Sequence, residues 1–278
     1  MSHAVAALYY ELDAICRYQL HTGRITREDD YTSNLCGLIH YRPIPRPYRY
    51  RFWPYPVRSY SRVLDKSEEY LFGCDAIILV QIKKKIKVGL FEAKWPRIVT
   101  STNHRWDNLQ ADGNSHFHDQ LKRQKRWATS AAIWEMFYYE ERPSQATTPF
   151  DLYGSTCAWH EVAYDYDRTL DHSQRWSNSN LIDMLNTRPS DPQHRSFGMN
   201  LFDILLRFLS CKKGLPISMR DYTISLESEG EAATIPIPSF DENLQVLNLE
   251  TIDAFMGTSG ISSYLHIEID DPLEIGFA

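Results

Sequence analysis

Apolar and polar positions along this chain fall into helical spacing, strand alternation and short unbroken apolar runs. Between Ala4 and Gln19 the apolar residues Val5, Leu8, Leu12, Ile15 and Cys16 recur at helical spacing, and Gly23 follows as a stop signal. Glu11 borders that stripe, between Leu8 and Ile15, which places it near the core boundary. Asp75 to Ile82 is a short apolar run rich in β-branched residues. Ile86 to Lys94 alternates strictly, and a lysine-rich turn joins the two, so the pair predicts a β-hairpin that ends before Pro96. His116 to about Glu140 predicts one long helix ending before Pro143, with Trp127, Trp134 and Phe137 as packing residues. Ser155 to Tyr164 predicts a strand, Met199 to Cys211 a helix stopped near Gly214, and Ser263 to Ile269 a late strand. No stretch is long or biased enough to mark a domain linker. The expected architecture is one α/β domain.

Length and composition narrow the class. A chain of 278 residues with 43% hydrophobic and 24% charged residues can bury a sizeable core. No run approaches the roughly 18 apolar residues of a membrane span, and the first residues lack the pattern of a secretory leader. The five cysteines are scattered and form no C-x-x-C pair, which suits a reducing compartment, so a cytoplasmic location is expected.

The net charge of −6 conceals a division. Residues 1–130 carry a net of +8 and residues 131–278 a net of −14. Such asymmetry suggests a basic surface facing a polyanion, or two halves that neutralise each other within one fold. From His40 to Arg62, arginines including Arg46, Arg49 and Arg51 interleave with tyrosines, Trp53 and five prolines. Such an extended arm can grip phosphates and stack on bases, or can simply pack on its own aromatics. Lys83, Lys84, Lys85 and Lys87 suggest a solvated turn, and Lys122, Arg123, Lys125 and Arg126 form a basic helix face.

The chemistry concentrates at the hairpin. Glu92 and Lys94 lie two apart on a strand and project to one face, continuing Ile86, Val88 and Leu90. Asp75 opens the partner strand. Two neighbouring carboxylates repel unless a cation stands between them, and Mg²⁺ suits one or two carboxylates plus phosphate oxygens and water. Convergence depends on register. A three-residue turn over 83–85 puts Asp75 opposite Ala93, on the wrong face. An even-length loop, a bulge near Gly89 or a bend at Gly73 restores it. The bland alternative is a surface ion pair between Glu92 and Lys94, with Asp75 capping a turn.

Glu11 on a first helix, Asp75 opening one strand, Glu92-x-Lys94 ending the next and then a helix with glutamines together resemble the PD-(D/E)XK nuclease superfamily. No proline precedes the aspartate in Gly73-Cys74-Asp75. The resemblance implies a restriction-endonuclease-like core of helix, three-strand meander, helix and strand over residues 1–165. Residues 166–278 would be an acidic C-terminal elaboration packed on the same domain, offering a surface for a protein partner or a second copy. By that resemblance Asp75 and Glu92 bind Mg²⁺ or Mn²⁺, Glu11 supports the metal and Lys94 orients or activates the attacking water. Gln120 or Gln124 lines the site, with Gln124 preferred because it lies nearer the apolar face of Phe117, Leu121 and Ala128. The implied activity is hydrolysis of phosphodiester bonds, DNA being the expected substrate, in the setting of a restriction or anti-phage complex. Arg46, Arg49, Arg51, Lys122 and Arg123 are the expected nucleic-acid contacts. The alternative is a module of the same fold that binds nucleic acid or assembles a complex without catalysis.

Other combinations are weaker. His116 and His118 are two apart on a helix, where a zinc pair needs i, i+4 spacing. Cys157 with His160 reads as a buried strand cysteine rather than a nucleophile pair. Asp165-Tyr166-Asp167 reads as a solvated turn. No G-x-G-x-x-G or Walker-type loop is present.

Overall fold

The computed structural model describes residues 2–41, 57–63, 71–100, 103–138, 154–186, 199–228, 230–243 and 245–269. Arg46, Arg49 and Arg51 lie outside them. In chain order the elements are α1 (Ser2–His21), α2 (Glu28–Tyr41), β1 (Val57–Val63), β2 (Ala76–Ile82), β3 (Lys85–Lys94), β4 (Arg97–Thr100) and β5 (Asn103–Arg105). They continue with α3 (His116–Lys125), β6 (Ala132–Phe137), β7 (Thr156–Trp159), α4 (His160–Asp167), α5 (Asn178–Asn186) and α6 (Leu201–Leu209). The last are β8 (Ile217–Ser218), β9 (Thr223–Ser228), β10 (Glu231–Pro236), α7 (Leu249–Ser259) and β11 (Ser263–Ile269). Among the described residues, no helix is long and apolar enough to cross a membrane. None of the five cysteines forms a disulfide.

The fold is mixed α/β around one mixed sheet of order β1-β11-β2-β3-β6-β7, with β8 pairing the start of β3. β11 runs parallel to β2 and β6 parallel to β3, while β1–β11, β2–β3 and β6–β7 are antiparallel. This order corrects the expected meander. The late strand β11 inserts between β1 and β2, so a strand from beyond residue 165 enters the sheet next to its β1 edge. Sheet order of this kind is set by long-range packing and leaves no local pattern.

The central strands are buried on both faces, and their periodicity distributes the core. Ala76, Ile78, Val80, Phe91 and Ala93 point to the layer of α1, α2 and α6. Ile77, Leu79, Val88 and Leu90 point to the opposite layer with α7 and the β9–β10 hairpin. A third cluster gathers Phe117, Leu121, Phe137, Trp106 and Trp176 around α3, α4 and α5.

Two further expectations change. The helix foreseen over 116–140 ends at Lys125, and Ala132–Phe137 is a strand with all six residues buried. An apolar run without alternation fits a buried helix or a strand buried on both faces equally well. The strand foreseen over 155–164 stops at Trp159, after which α4 begins. Lys83, Lys84 and Lys85 are exposed as expected, but Lys87 is completely buried. Its ammonium donates to the carbonyls of Phe208 and Lys213, satisfying acceptors at the end of α6. Burial lowers the Lys87 pKa.

His266 sits inside the sheet, on β11, with Nε2 2.9 Å from Oε1 of Gln81 on the adjacent strand. Burial lowers its pKa from 6.5 to about 3. The fold therefore holds the neutral imidazole. The stability this contributes is complete above pH 6.5 and is lost as pH falls from 6.5 towards 3. Between pH 7 and 5 the expected loss is about 2 kcal/mol. Urea unfolding should show it for the wild-type chain and not for His266→Gln; equal losses in the two proteins contradict it.

Candidate active site

The hairpin loop decides the register. Ile82 pairs with Lys85, so the turn is the two residues Lys83 and Lys84, with Lys83 at φ 56°. A positive φ at the first loop position belongs to the primed two-residue turns that match strand twist. An even loop makes Ala76 the partner of Phe91. Asp75, one residue further out, therefore stands beside Glu92 on the same face. Its backbone N–H still donates to Phe91 O, at 3.0 Å.

The face extends across a third strand. In the parallel pairing of β3 with β6, Glu92 aligns with Glu135. Asp75, Glu92 and Glu135 thus form a row of carboxylates across β2, β3 and β6, and all three are buried. Glu135 was not foreseen, because the helical reading of its segment gave it no relation to Glu92. Its signal was a lone carboxylate inside Ala-Ala-Ile-Trp-Glu-Met-Phe-Tyr.

Lys94 lies one step along the row. Its Nζ donates to Glu92 Oε1 at 2.7 Å and to Gln120 Oε1 at 2.6 Å. Gln120 Nε2 donates to the same Glu92 oxygen at 2.6 Å. The Lys94 ammonium also lies 4.2 Å from the centre of the Phe117 ring. Glu92 is 2% exposed and Lys94 5%, so the pair is an internal one and not the surface bridge of the bland alternative. Breaking such a pair from one side leaves a buried charge behind.

The two glutamines divide their work against expectation. Gln120 joins Glu92 and Lys94. Gln124 instead donates to Gly73 O at 2.7 Å and receives His160 Nδ1 at 2.8 Å. It also reaches Glu135 Oε2, at 3.4 Å. The difference of four residues is one helical turn, which moves the contact from β3 to β6.

Glu11 does not reach the site; it is exposed on α1. The buried stripe of that helix runs through Val5, Tyr9, Leu12, Asp13 and Cys16. It is turned away from the Leu8–Ile15 edge that Glu11 borders. The helix carboxylate near the site is Glu28, in the first turn of α2, whose Oε2 accepts the Trp95 N–H at 3.0 Å. With Glu92, Lys94, Asp107, His116 and Gln120 it lines a cavity of about 280 Å³. Sequence reading passed over Glu28 because Glu28-Asp29-Asp30 reads as an acidic helix start that complements the dipole.

Asp107 has a different task. Its carboxylate accepts the Ser115 hydroxyl at 2.6 Å and the Phe117 N–H at 3.1 Å, while Ser115 caps α3 by accepting His118 N–H. This fixes the start of the helix that carries Gln120. On its outer side α3 exposes Lys122, Lys125 and Arg126, with Arg123 half-buried.

The donor set suits a hard dication in part. Asp75 and Glu92 offer carboxylate oxygens on adjacent strands, and the carboxylate row has one ammonium beside it, so negative charge is in excess. Against this, Asp75 Oδ2 accepts the Ala93 N–H at 2.8 Å. Asp75 is also absent from the cavity lining. Among the described residues, three donor atoms converge within 4.8 Å only at His118, Asp167 and His172. Asp75 and Glu92 are the two carboxylates that could share such an ion, with substrate and water completing its shell; the described residues hold no pre-formed three-carboxylate cage there.

Gly73 holds the row and α3 together. Its φ is +67°, and a Cβ there would lie 2.7 Å from Gln120 O and 3.1 Å from Arg123 Cβ. Gly73→Ala is expected to cost about 1–3 kcal/mol, from left-handed backbone strain and from displacement of α3. Because Gln120 moves with the helix, any activity of the site falls as well. Unfolding midpoints unchanged from wild type contradict this.

Cys157 is a buried strand residue, as the sequence suggested, and burial raises its thiol pKa well above the ordinary value. Asp167, in contrast, is fully buried and no part of a solvated turn. No family model matches this chain, and neither a curated protein nor a solved structure matches it.

Proposed function

We propose that this protein is a Mg²⁺-dependent nuclease that hydrolyses phosphodiester bonds of DNA. The observation that carries the reading is the buried Glu92–Lys94–Gln120 triangle beside Asp75, opening on a cavity walled by Glu28. Asp75 and Glu92 would hold the metal, and Glu28 takes the place expected of Glu11. A dication bound there supplies polarisation of the phosphate and a water of lowered pKa. Lys94 places positive charge where negative charge develops on the phosphate oxygens. Gln120 fixes Lys94 and Glu92 relative to each other, through one hydrogen bond to each. The exposed Lys122 and Lys125 of α3, the helix that carries Gln120, suit a phosphate backbone together with Arg123. The Mg²⁺ requirement can be met by Mn²⁺, which accepts the same oxygen donors.

A second reading is favoured by the engagement of Asp75 with the Ala93 N–H: a nuclease-like module that binds nucleic acid or assembles a complex without cleaving. The acidic second half would then be its contact surface for a protein partner or a second copy. Incubation with plasmid, single-stranded DNA and RNA in Mg²⁺, with a chelated control, separates the two. DNA cleavage that stops on chelation supports the nuclease. Binding without cleavage under Mg²⁺ and Mn²⁺ supports the module.

A further inference from the structure

Away from the carboxylate row, α3 presents His118 to the end of α4. His118 Nδ1 lies 2.5 Å from Asp167 Oδ2. His172, five residues after Asp167, places Nε2 3.4 Å from the same oxygen and 3.1 Å from the Asp167 carbonyl. The two imidazole rings stack, with centroids 3.3 Å apart. The other Asp167 oxygen accepts the indole N–H of Trp176 at 3.1 Å. His118 and Asp167 are buried, and the His172 side chain is 33% exposed.

We propose that His118, Asp167 and His172 form a binding site for a divalent transition metal of the zinc class. Two imidazoles and one carboxylate are the donor types zinc takes, and their donor atoms already lie within 4.8 Å of one another. Zinc–ligand bonds of about 2.0–2.2 Å put ligand atoms about 3.3 Å apart in a tetrahedral shell, so binding spreads the His118–Asp167 pair from 2.5 Å and draws in donors that now lie up to 4.8 Å apart. Two face-to-face imidazoles share a single carboxylate here. To hold one metal ion the stacked rings turn apart so that a lone pair of each points at it, with the carboxylate as the compensating charge. The Trp176 N–H orients that carboxylate from outside, as second partners of metal ligands do. The His172 side chain, 33% exposed, is the ligand nearest to solvent.

The ion fastens α3 to the segment after α4. Two residues beyond His118 is Gln120, which touches Glu92 and Lys94. The site is therefore structural, and its occupancy does not depend on the hydrolytic reading. Spacing along the sequence gives no hint of it, since the ligands come from α3, the end of α4 and the following turn.

The test uses the full chain, dialysed against chelator and titrated with Zn²⁺. One zinc per chain should bind with micromolar affinity or better, and unfolding should shift to higher temperature. His172→Gln, at a half-exposed position, should bind at least ~100-fold more weakly with unchanged circular dichroism, and Trp176→Phe about 10-fold more weakly. His21→Ala, on exposed α1, should bind like wild type. Failure of the wild-type chain to bind up to ~1 mM zinc, the weak end of specific affinity, overturns the proposal. So does His172→Gln binding zinc as wild type does.

Discussion

Glu92→Gln is expected to lower Mg²⁺-dependent DNA cleavage by about 10²–10³-fold while leaving the fold intact. The magnitude is that of weakening the carboxylate set that would hold the metal, whose contribution to a hydrolytic site is several kcal/mol. Gln is chosen because Glu92 is buried against Lys94. The amide keeps an acceptor for the ammonium and for Gln120. Glu92→Ala would leave the Lys94 ammonium buried with its partner gone, at a cost of about 3–5 kcal/mol, and would confound activity with stability. Lys94→Ala should lose activity to a similar extent, and its thermal unfolding should be recorded alongside. Cleavage that survives both changes means that another site carries the activity.

The largest stability effect is expected at Asp13, which does not line this cavity. Its carboxylate is fully buried on α1. It accepts the Ser155 N–H at 2.5 Å, the Ser155 hydroxyl at 2.8 Å and the Tyr31 hydroxyl at 2.6 Å. These bonds tie α1 and α2 to the entry of β7. Asp13→Ala strands the buried Ser155 N–H and takes the carboxylate from two hydroxyls, which keep each other at 3.1 Å and, for Tyr31, the backbone carbonyl of residue 13 at 3.0 Å; the expected loss is about 3 kcal/mol. Burial raises the Asp13 pKa above 3.8, so its ionisation costs stability as pH rises through the folded value. The gap between wild type and Asp13→Ala should therefore be widest at acid pH and narrow towards neutrality. Urea unfolding at pH 5 and pH 7 measures both points. A gap below 1 kcal/mol at both, or one that widens with pH, contradicts the account.

Glu92 and Lys94 were legible because a strand's period of two is unambiguous, and their exit position before Pro96 is marked in the sequence. Their facing Asp75 was legible only as a condition. The number of residues in the turn settles it, and three consecutive lysines do not say which belong to the strand. Glu135 was hidden by the ambiguity of an apolar run, and Glu28 by a helix-start pattern that explains acids without a site. Gln120 displaced Gln124 because α3 packs by its Phe117–Leu121 face on the third cluster, which aims Gln120 at β3. Lys87 and Asp13 look like surface residues on composition alone. Each is buried because it completes backbone or hydroxyl partners that only the tertiary fold brings near. The placement of β11 between β1 and β2 had no local signal at all.

Asp75 is the residue on which the hydrolytic reading turns, since it faces Glu92 yet spends one oxygen on the Ala93 N–H. The most direct measurement is the rate of plasmid cleavage against Mg²⁺ concentration for wild type and Asp75→Asn, side by side. The account predicts a saturable Mg²⁺ dependence in the wild-type protein. It predicts that Asp75→Asn cleaves at least ~100-fold more slowly, or needs far more Mg²⁺ for the same rate. Cleavage by Asp75→Asn at the wild-type rate and the wild-type Mg²⁺ requirement, or cleavage by wild type without any dication, would contradict it.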